Sequence, residues 1–333
     1  MPFLPVGGQA VIEGVMMRSP SRVAVAVRRM DGSMAFMERP FVSVTRRFKA
    51  LSLPVVRGAV SLFETLFLGM AALNFSADQA TNDETGAQGA PRGATEAATA
   101  PAARAAAPAA AKASAWQGVI QLLTVVVSLG VGIVLFVVLP ARLTGWLGFH
   151  DRIGFGLVDG LFRLLAFIVY LLLISQWKEL ARVLGYHGAE HKAIHAIENR
   201  APLTPESVQS FPRLHPRCGT SFLFLVVVVS IVAFTFIGRP RGLGDHLLRI
   251  ACMPLIAGVA FEFIRLSGKY ADVPLVKALV WPGLQFQRLT TREPDLSMCE
   301  VAIAALERVR ADETVVRLEL AGDAARPEMA FIQ

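Results

Sequence analysis

The chain has 333 residues, of which 54% are hydrophobic and only 18% charged, and its mean hydropathy of +0.51 excludes an ordinary water-soluble protein of this size. The formal net charge of +7 is not gathered into a basic patch interleaved with base-stacking aromatics, so no specific nucleic-acid binding is expected. A lipid bilayer is the expected partner, and the positive charge then reflects membrane asymmetry and attraction to anionic lipid.

Residues 1–53 read as a small, strand-rich cytoplasmic region. The opening MPFLPVGGQA has no basic stretch followed by an apolar one, so no cleavable secretory signal is expected. In GGQAVIEGVMMRSP, Gly7, Gly8 and Gly14 permit backbone shapes that other residues avoid. This segment is read as a strand with turns; alternatively it is a loop that brings Glu13 and Arg18 to a cytoplasmic site. RVAVAVRRMDGSMAFMERPFVSV holds two extended stretches about Asp31-Gly32, a dipeptide suited to a tight hairpin turn.

Residues 54–77 have helical apolar spacing interrupted by Arg57 and Glu64, and form either an interfacial helix, the preferred reading, or a further membrane span that would put the N-terminal region outside. Residues 78–115 are an Ala/Gly/Pro-rich linker with almost nothing large to bury, and are expected to be disordered. Within 116–267, four stretches are long and apolar enough to span a bilayer: about 117–139, 154–176, 220–238 and 247–267. The connection between the second and third holds Lys178, Arg182, Lys192, Arg200, Arg213 and Arg217, which predicts a cytoplasmic loop at 178–219 and cytoplasmic N- and C-termini. The three cysteines, Cys218, Cys252 and Cys299, are too few and too far apart for a disulfide framework, which points to a reducing compartment. In the C-terminal cytoplasmic region, 268–333, Ser297 and Glu300 form a predicted capping box before an amphipathic helix, and ETVVRLEL is a candidate strand.

The chemistry is concentrated in YHGAEHKAIHAIE, residues 186–198. On a helix, with about 100° between residues, His187, Glu190, His191, His195 and Glu198 share one face. His187 and His191 stand about 6 Å apart along the axis and can share an ion, as can His191 and His195, whereas His187 and His195 are about 12 Å apart and cannot readily do so. His187-x-x-Glu190-His191 also fits the H-x-x-E-H pattern, in which two histidines hold zinc and the glutamate activates water. A second cluster follows in RLHPRCGTS, where His215 and Cys218 have a spacing that a turn can close about zinc. Cys218, flanked by Arg213 and Arg217, is alternatively a nucleophile of lowered pKa. Glu262, three residues before Arg265, is either half of an ion pair or a further ligand or base at the cytoplasmic end of its span.

GGQAVIEGVMMR, the Pro54–Ala77 segment, YHGAEHKAIHAIE, RLHPRCGTSF and QRLTTREPD together resemble the YqhQ-like bacterial membrane proteins, from about residue 5 to 310. That resemblance implies an integral membrane protein of unknown function, described as a predicted metal-dependent enzyme, and singles out Arg292-Glu293 beside the other motifs. The expected fold is therefore a membrane α-helical protein of about four spans with a small strand-containing cytoplasmic domain, in the bacterial inner membrane. The expected function is that of a metal-dependent hydrolase. His187, His191, His215 and Cys218 are its candidate ligands, zinc is the expected metal, and Glu190 and His195 are its catalytic candidates. Glu198, Glu13, Arg18, Glu262 and Arg292 stand around that centre or face substrate. A non-catalytic scaffold that recruits a cytoplasmic protein partner, with the cluster as a structural zinc clip, is the alternative.

Overall fold

The computed structural model describes residues 6–89, 108–149, 151–216, 218–270 and 273–311. At the N-terminal end, β1 (Gly7–Val11), β2 (Gly14–Arg18), β3 (Arg22–Arg28) and β4 (Met34–Pro40) form an antiparallel meander in that order. The expected hairpin joins β3 to β4, with Gly32 at φ +84. The β1–β2 turn puts Glu13 at φ 52, a left-handed conformation unusual for a residue with a Cβ.

The sheet is followed by a short helix, α1 (Val44–Arg47), and then by α2 (Val56–Gly89), α3 (Pro108–Ile133), α4 (Leu139–Trp146), α5 (Arg152–Ile174) and α6 (Lys178–Glu198). The remaining helices are α7 (Pro205–Gln209), α8 (Gly219–Ile237), α9 (Leu243–Ala251), α10 (Met253–Lys269), α11 (Pro274–Thr290) and α12 (Leu296–Ala311). A π-helical turn, Val134–Val138, joins α3 to α4 just before Pro140, which absorbs the proline and carries the helix past residue 139, where the sequence reading ended it. Asp295 rather than Ser297 caps α12, accepting from the Met298 N–H at 2.9 Å, while Glu300 turns to Arg28. Residues 90–107 of the expected linker, Arg217 and the candidate strand ETVVRLEL lie outside the described residues.

Among the described residues, five helices are long and apolar enough to cross a membrane: Val56–Thr81, Leu123–Trp146, Arg152–Ile174, Gly219–Ile237 and Leu243–Ser267. The sequence reading counted about four. The additional one is the helix after Pro54, where Arg57 and Glu64 are outweighed by the leucines, phenylalanines and methionines around them. Its packing differs from that of the others. The first turns of α2 lie on α10, with Gly58 against Gly258 and Phe261. Its second half lies on the sheet, through Leu68, Ala72 and Phe75, and Arg29 donates to Gln79 at 2.6 Å.

The alternation VAVAV in β3 accounts for the two sides of the sheet. Val23, Val25 and Val27 meet Val11, Met16 and the second half of α2. Ala24 and Ala26 face the other way, beside Val15 and Met17, and their small size admits α6 and α12 through Tyr186, Ala189, Cys299 and Leu306. With both faces covered, the central strands β2 and β3 are buried over nearly their whole length. α6 is thereby clamped between the sheet, α12 and the segment after α11, where a Cβ at Gly188 would lie 2.1 Å from the Arg292 carbonyl oxygen. Because that neighbour is backbone, Gly188→Ala should push α6 away and lower stability by about 1–3 kcal/mol, read as a fall in Tm of the detergent-solubilised protein; an unchanged Tm would show the contact to be slack.

Candidate metal centre

α6 presents its histidines to backbone carbonyls. The His187 Nδ1 lies 2.7 Å from the Thr290 carbonyl oxygen, at the end of α11, and the His191 Nδ1 lies 2.6 Å from that of Arg213. Both rings are thus anchored through Nδ1, which leaves Nε2 for other work, the arrangement by which metal-ligating imidazoles are oriented. His187 Nε2 stands 3.2 Å from the Cys218 Sγ. His191 Nε2 is buried and has no hydrogen-bond partner. One ligand atom from each of His187, His191 and Cys218 lies within 4.8 Å of the other two.

Cys218 reaches this point because it is the N-cap of α8, where its sulfur accepts from the Thr220 N–H at 3.4 Å. Burial opposes its ionisation, but the adjacent His191 and His187 outweigh burial and hold the thiol well below its usual range. Burial likewise lowers the pKa of His187, yet the Cys218 thiolate prevails and pushes it up to about 9. The neighbouring imidazoles therefore favour the thiolate of this cysteine; of the two flanking arginines weighed from the sequence, Arg217 lies outside the described residues. Glu190 is buried beside them, one of its carboxylate oxygens has no partner, and burial raises its pKa.

His195, Glu198 and His215 form a second group, again with one ligand atom each within 4.8 Å. His215 Nε2 meets Glu198 Oε1 at 3.2 Å, and His195 Nε2 meets the Leu214 carbonyl oxygen at 2.9 Å. Burial and the nearby His191 push the pKa of His215 down to about 4. The histidine rings stand in a row, with centroids 4.4 Å apart from His187 to His191, 5.8 Å from His191 to His215 and 4.5 Å from His215 to His195. The structure thus divides the six candidates into two triplets, with Cys218 in one and His215 in the other.

The first triplet fits a zinc ion. A nitrogen and a sulfur bound to one tetrahedral zinc stand roughly 3.6 Å apart, so the contact between His187 and Cys218 needs only a slight opening. The unpartnered His191 Nε2 would be the third donor. Histidine and thiolate together suit zinc better than magnesium or calcium.

The other residues singled out from the sequence lie elsewhere. Glu13 pairs with Arg182 and accepts from the Tyr186 hydroxyl at 3.2 Å. Arg18 stacks on the Phe41 ring at 3.8 Å and approaches Glu64. Glu262 turns from Arg265 to Arg57, and it also accepts from the Val55 N–H, which fixes the start of α2. The Arg292 guanidinium donates to the Ser175 carbonyl and its N–H to that of Leu184, so it ties α6 to the end of α5.

Sequence reasoning missed Gln287, which is fully buried on α11. Its oxygen accepts from the His215 N–H at 2.8 Å, and its amide donates to the His215 carbonyl at 2.7 Å and the Ser221 hydroxyl at 3.0 Å. It holds both ends of the turn that delivers Cys218. QRLTTREPD drew attention to this neighbourhood, but nothing in it marks a glutamine as a brace. Gln287→Ala removes the hydrogen bonds to the buried His215 N–H, to the His215 carbonyl and to the Ser221 hydroxyl, so a loss of about 1–3 kcal/mol is expected. The lower Tm should be accompanied by a displaced Cys218, seen as faster alkylation by iodoacetamide; unchanged alkylation would remove Gln287 from the site.

The centre borders a cavity of about 600 Å³ between α2, α6, α8 and α10. Glu190, His187, His191, His215 and Cys218 line one part, and Gly8 lets β1 pass close to the Glu190 side chain.

No solved structure matches this chain. It is 32% identical over 307 residues, 91% of each chain, to a protein of Bacillus subtilis (strain 168) described as "Uncharacterized protein YqhQ". A family model described as "Protein of unknown function (DUF1385)" matches residues 53–312, and with the histidine helix, the cysteine cap and the buried glutamine inside that range, the chain belongs to this family.

Proposed function

We propose that this is an integral protein of the bacterial inner membrane that holds a divalent cation, zinc foremost, through His187, His191 and Cys218 at the cytoplasmic face, and that the centre is hydrolytic. The observation that carries the reading is the buried, unpartnered His191 Nε2, within ligand distance of His187 and Cys218. An imidazole nitrogen left bare inside a protein costs about 1–3 kcal/mol unless something binds it.

The packing on one sheet supports a topology. α6 comes after two apolar helices beyond α3's start and α12 after four, and both pack on the same face of the sheet. An even number of crossings between them satisfies that packing. The second half of α2 lies on the opposite face of the same sheet, so α2 stays on the sheet's side as an interfacial helix. The lysines and arginines of 178–219 support the cytoplasm for that side.

Hydrolysis is favoured over the scaffold with a zinc clip because a structural zinc has four protein ligands and a catalytic one keeps a position open. Three donors converge here, while His215, the nearest further imidazole, is engaged with Glu198. A divalent ion in such a site lowers the pKa of water or polarises a substrate oxygen. On this reading Glu190 takes a proton from the attacking water, whose hydroxyl bonds to the electrophilic centre, and returns it to the departing group. His195 and Glu198 position the 213–216 turn.

Purified protein should contain close to one equivalent of zinc, which His191→Ala loses and Glu190→Gln retains, measured by plasma mass spectrometry after dialysis. Equal, negligible metal in all three would sink the centre. Cobalt substitution should give a thiolate charge-transfer band that disappears in Cys218→Ser. For topology, Met30→Cys in the β3–β4 hairpin should react with an impermeant maleimide only in inverted vesicles, and Trp146→Cys only in intact spheroplasts; the reverse pattern overturns the orientation.

A further inference from the structure

The cavity beside the centre has an unusual lining for a site that handles water-soluble molecules. α2 contributes one continuous face at helical spacing: Gly58, Leu62, Thr65, Leu66, Gly69 and Leu73. Facing it are Phe222 and Leu223 from the first turn of α8 and Phe261 and Ile264 from the last turns of α10. The helices carrying those four residues are both apolar enough to cross a membrane, so the floor of the cavity lies at the depth where they enter the bilayer. Leu62, Leu66 and Leu73 line the cavity yet remain 37, 54 and 38% exposed, so the α2 wall is shared between the cavity and the surroundings. The opposite face of α2 offers Phe63 and Phe67, 49 and 70% exposed, an arrangement suited to acyl chains and costly in water.

The imidazoles, Glu190 and Cys218 gather where α6 meets the start of α8, and Gln9, Ser61, Thr65 and Thr220 are further polar members of a mostly apolar lining. His191 Nε2 and Glu190 Oε2 are buried, unpartnered and belong to residues that line the cavity, and Cys218 begins the α8 N-terminus beside them. Arg265 adds a guanidinium to the wall near the end of α10. A compartment that is apolar over most of its length and polar where the donors converge matches an amphiphile, and its volume is within the range of about 300–1,000 Å³ typical of ligand sites.

From this juxtaposition we infer that the centre acts on a membrane lipid, which enters sideways from the cytoplasmic leaflet past α2, lays its hydrocarbon chain between α2 and α8/α10, and presents its polar group to His191, Glu190 and Cys218. This rests on the hydrolytic reading of the centre for the reaction, but the binding of the chain does not require it.

The test uses cis-parinaric acid as a single-chain fluorescent probe, with the full chain in nanodiscs. Thr65→Trp and Ile264→Trp fill the cavity from α2 and from α10, and each should weaken saturable probe binding at least tenfold while zinc content and Tm stay at wild-type values. Leu165→Trp, on the exposed apolar side of α5, should change neither. His191→Ala should lose zinc and keep the probe. If zinc is present but the probe binds wild type and both filled variants alike, or binds none saturably, the lipid inference is overturned and the metal centre stands. If wild type lacks zinc but binds the probe and the filled variants do not, the metal centre falls and the lipid site stands.

Discussion

The hydrogen bonds from imidazoles of α6 to the carbonyls of Thr290, Arg213 and Leu214 are the constraint on which the site depends. Together they join two distant parts of the chain to one helix. Thr290 ends α11, and Arg213 and Leu214 precede the cysteine that starts α8. A histidine ring that donates through one nitrogen has its other nitrogen fixed in direction as well as in protonation, so the same bonds that hold the loops also aim the donors. Gln287 completes the device by holding the backbone of His215 from below.

Close backbone approach makes those bonds possible. Gly188 lets α6 touch the Arg292 carbonyl, Gly8 lets β1 cross over Glu190, and the alanines of β3 let α12 settle on the sheet. At the far end of the apolar helices a different brace operates. Asp159 receives both Arg163, four residues on in α5, and Arg249 from α9, and the two guanidiniums lie over the Phe234 ring at 4.7 and 4.9 Å. Charges so deep among apolar helices are tolerable when paired and stacked in this way, and Arg249 also donates to the Gly238 carbonyl.

What the sequence made legible was periodic or local. Apolar length exposed the membrane-type helices, Asp31-Gly32 exposed a hairpin, and four-residue spacing put five polar residues of 187–198 on one helical face. What it hid was long-range. His215 and Cys218 are three apart, and their proximity suggested one turn about one ion, but the partners of each are chosen by α6, whose successive turns lie at different heights along the 213–218 segment. His215 consequently meets His195 and Glu198, while Cys218 meets His187. Glu262 looked paired to Arg265 by helical spacing, yet Arg57, some two hundred residues earlier, takes its carboxylate. Carbonyl oxygens leave no trace in a sequence at all, since every residue carries one.

The helix after Pro54 shows how composition and packing can disagree. Its apolar content matches that of a span, and Arg57 and Glu64 are too few to spoil the match. Yet a helix needs an apolar surface for a sheet or a cavity as much as for lipid, and α2 is asked to serve all three: Leu68, Ala72 and Phe75 face the sheet, Leu62 and Leu66 the cavity, and Phe63 and Phe67 the surroundings. A helix apolar on every side is ordinarily buried in a core or a membrane. In α2 the sheet, the cavity and the exposed phenylalanines each claim a face, and these three demands together account for the same composition.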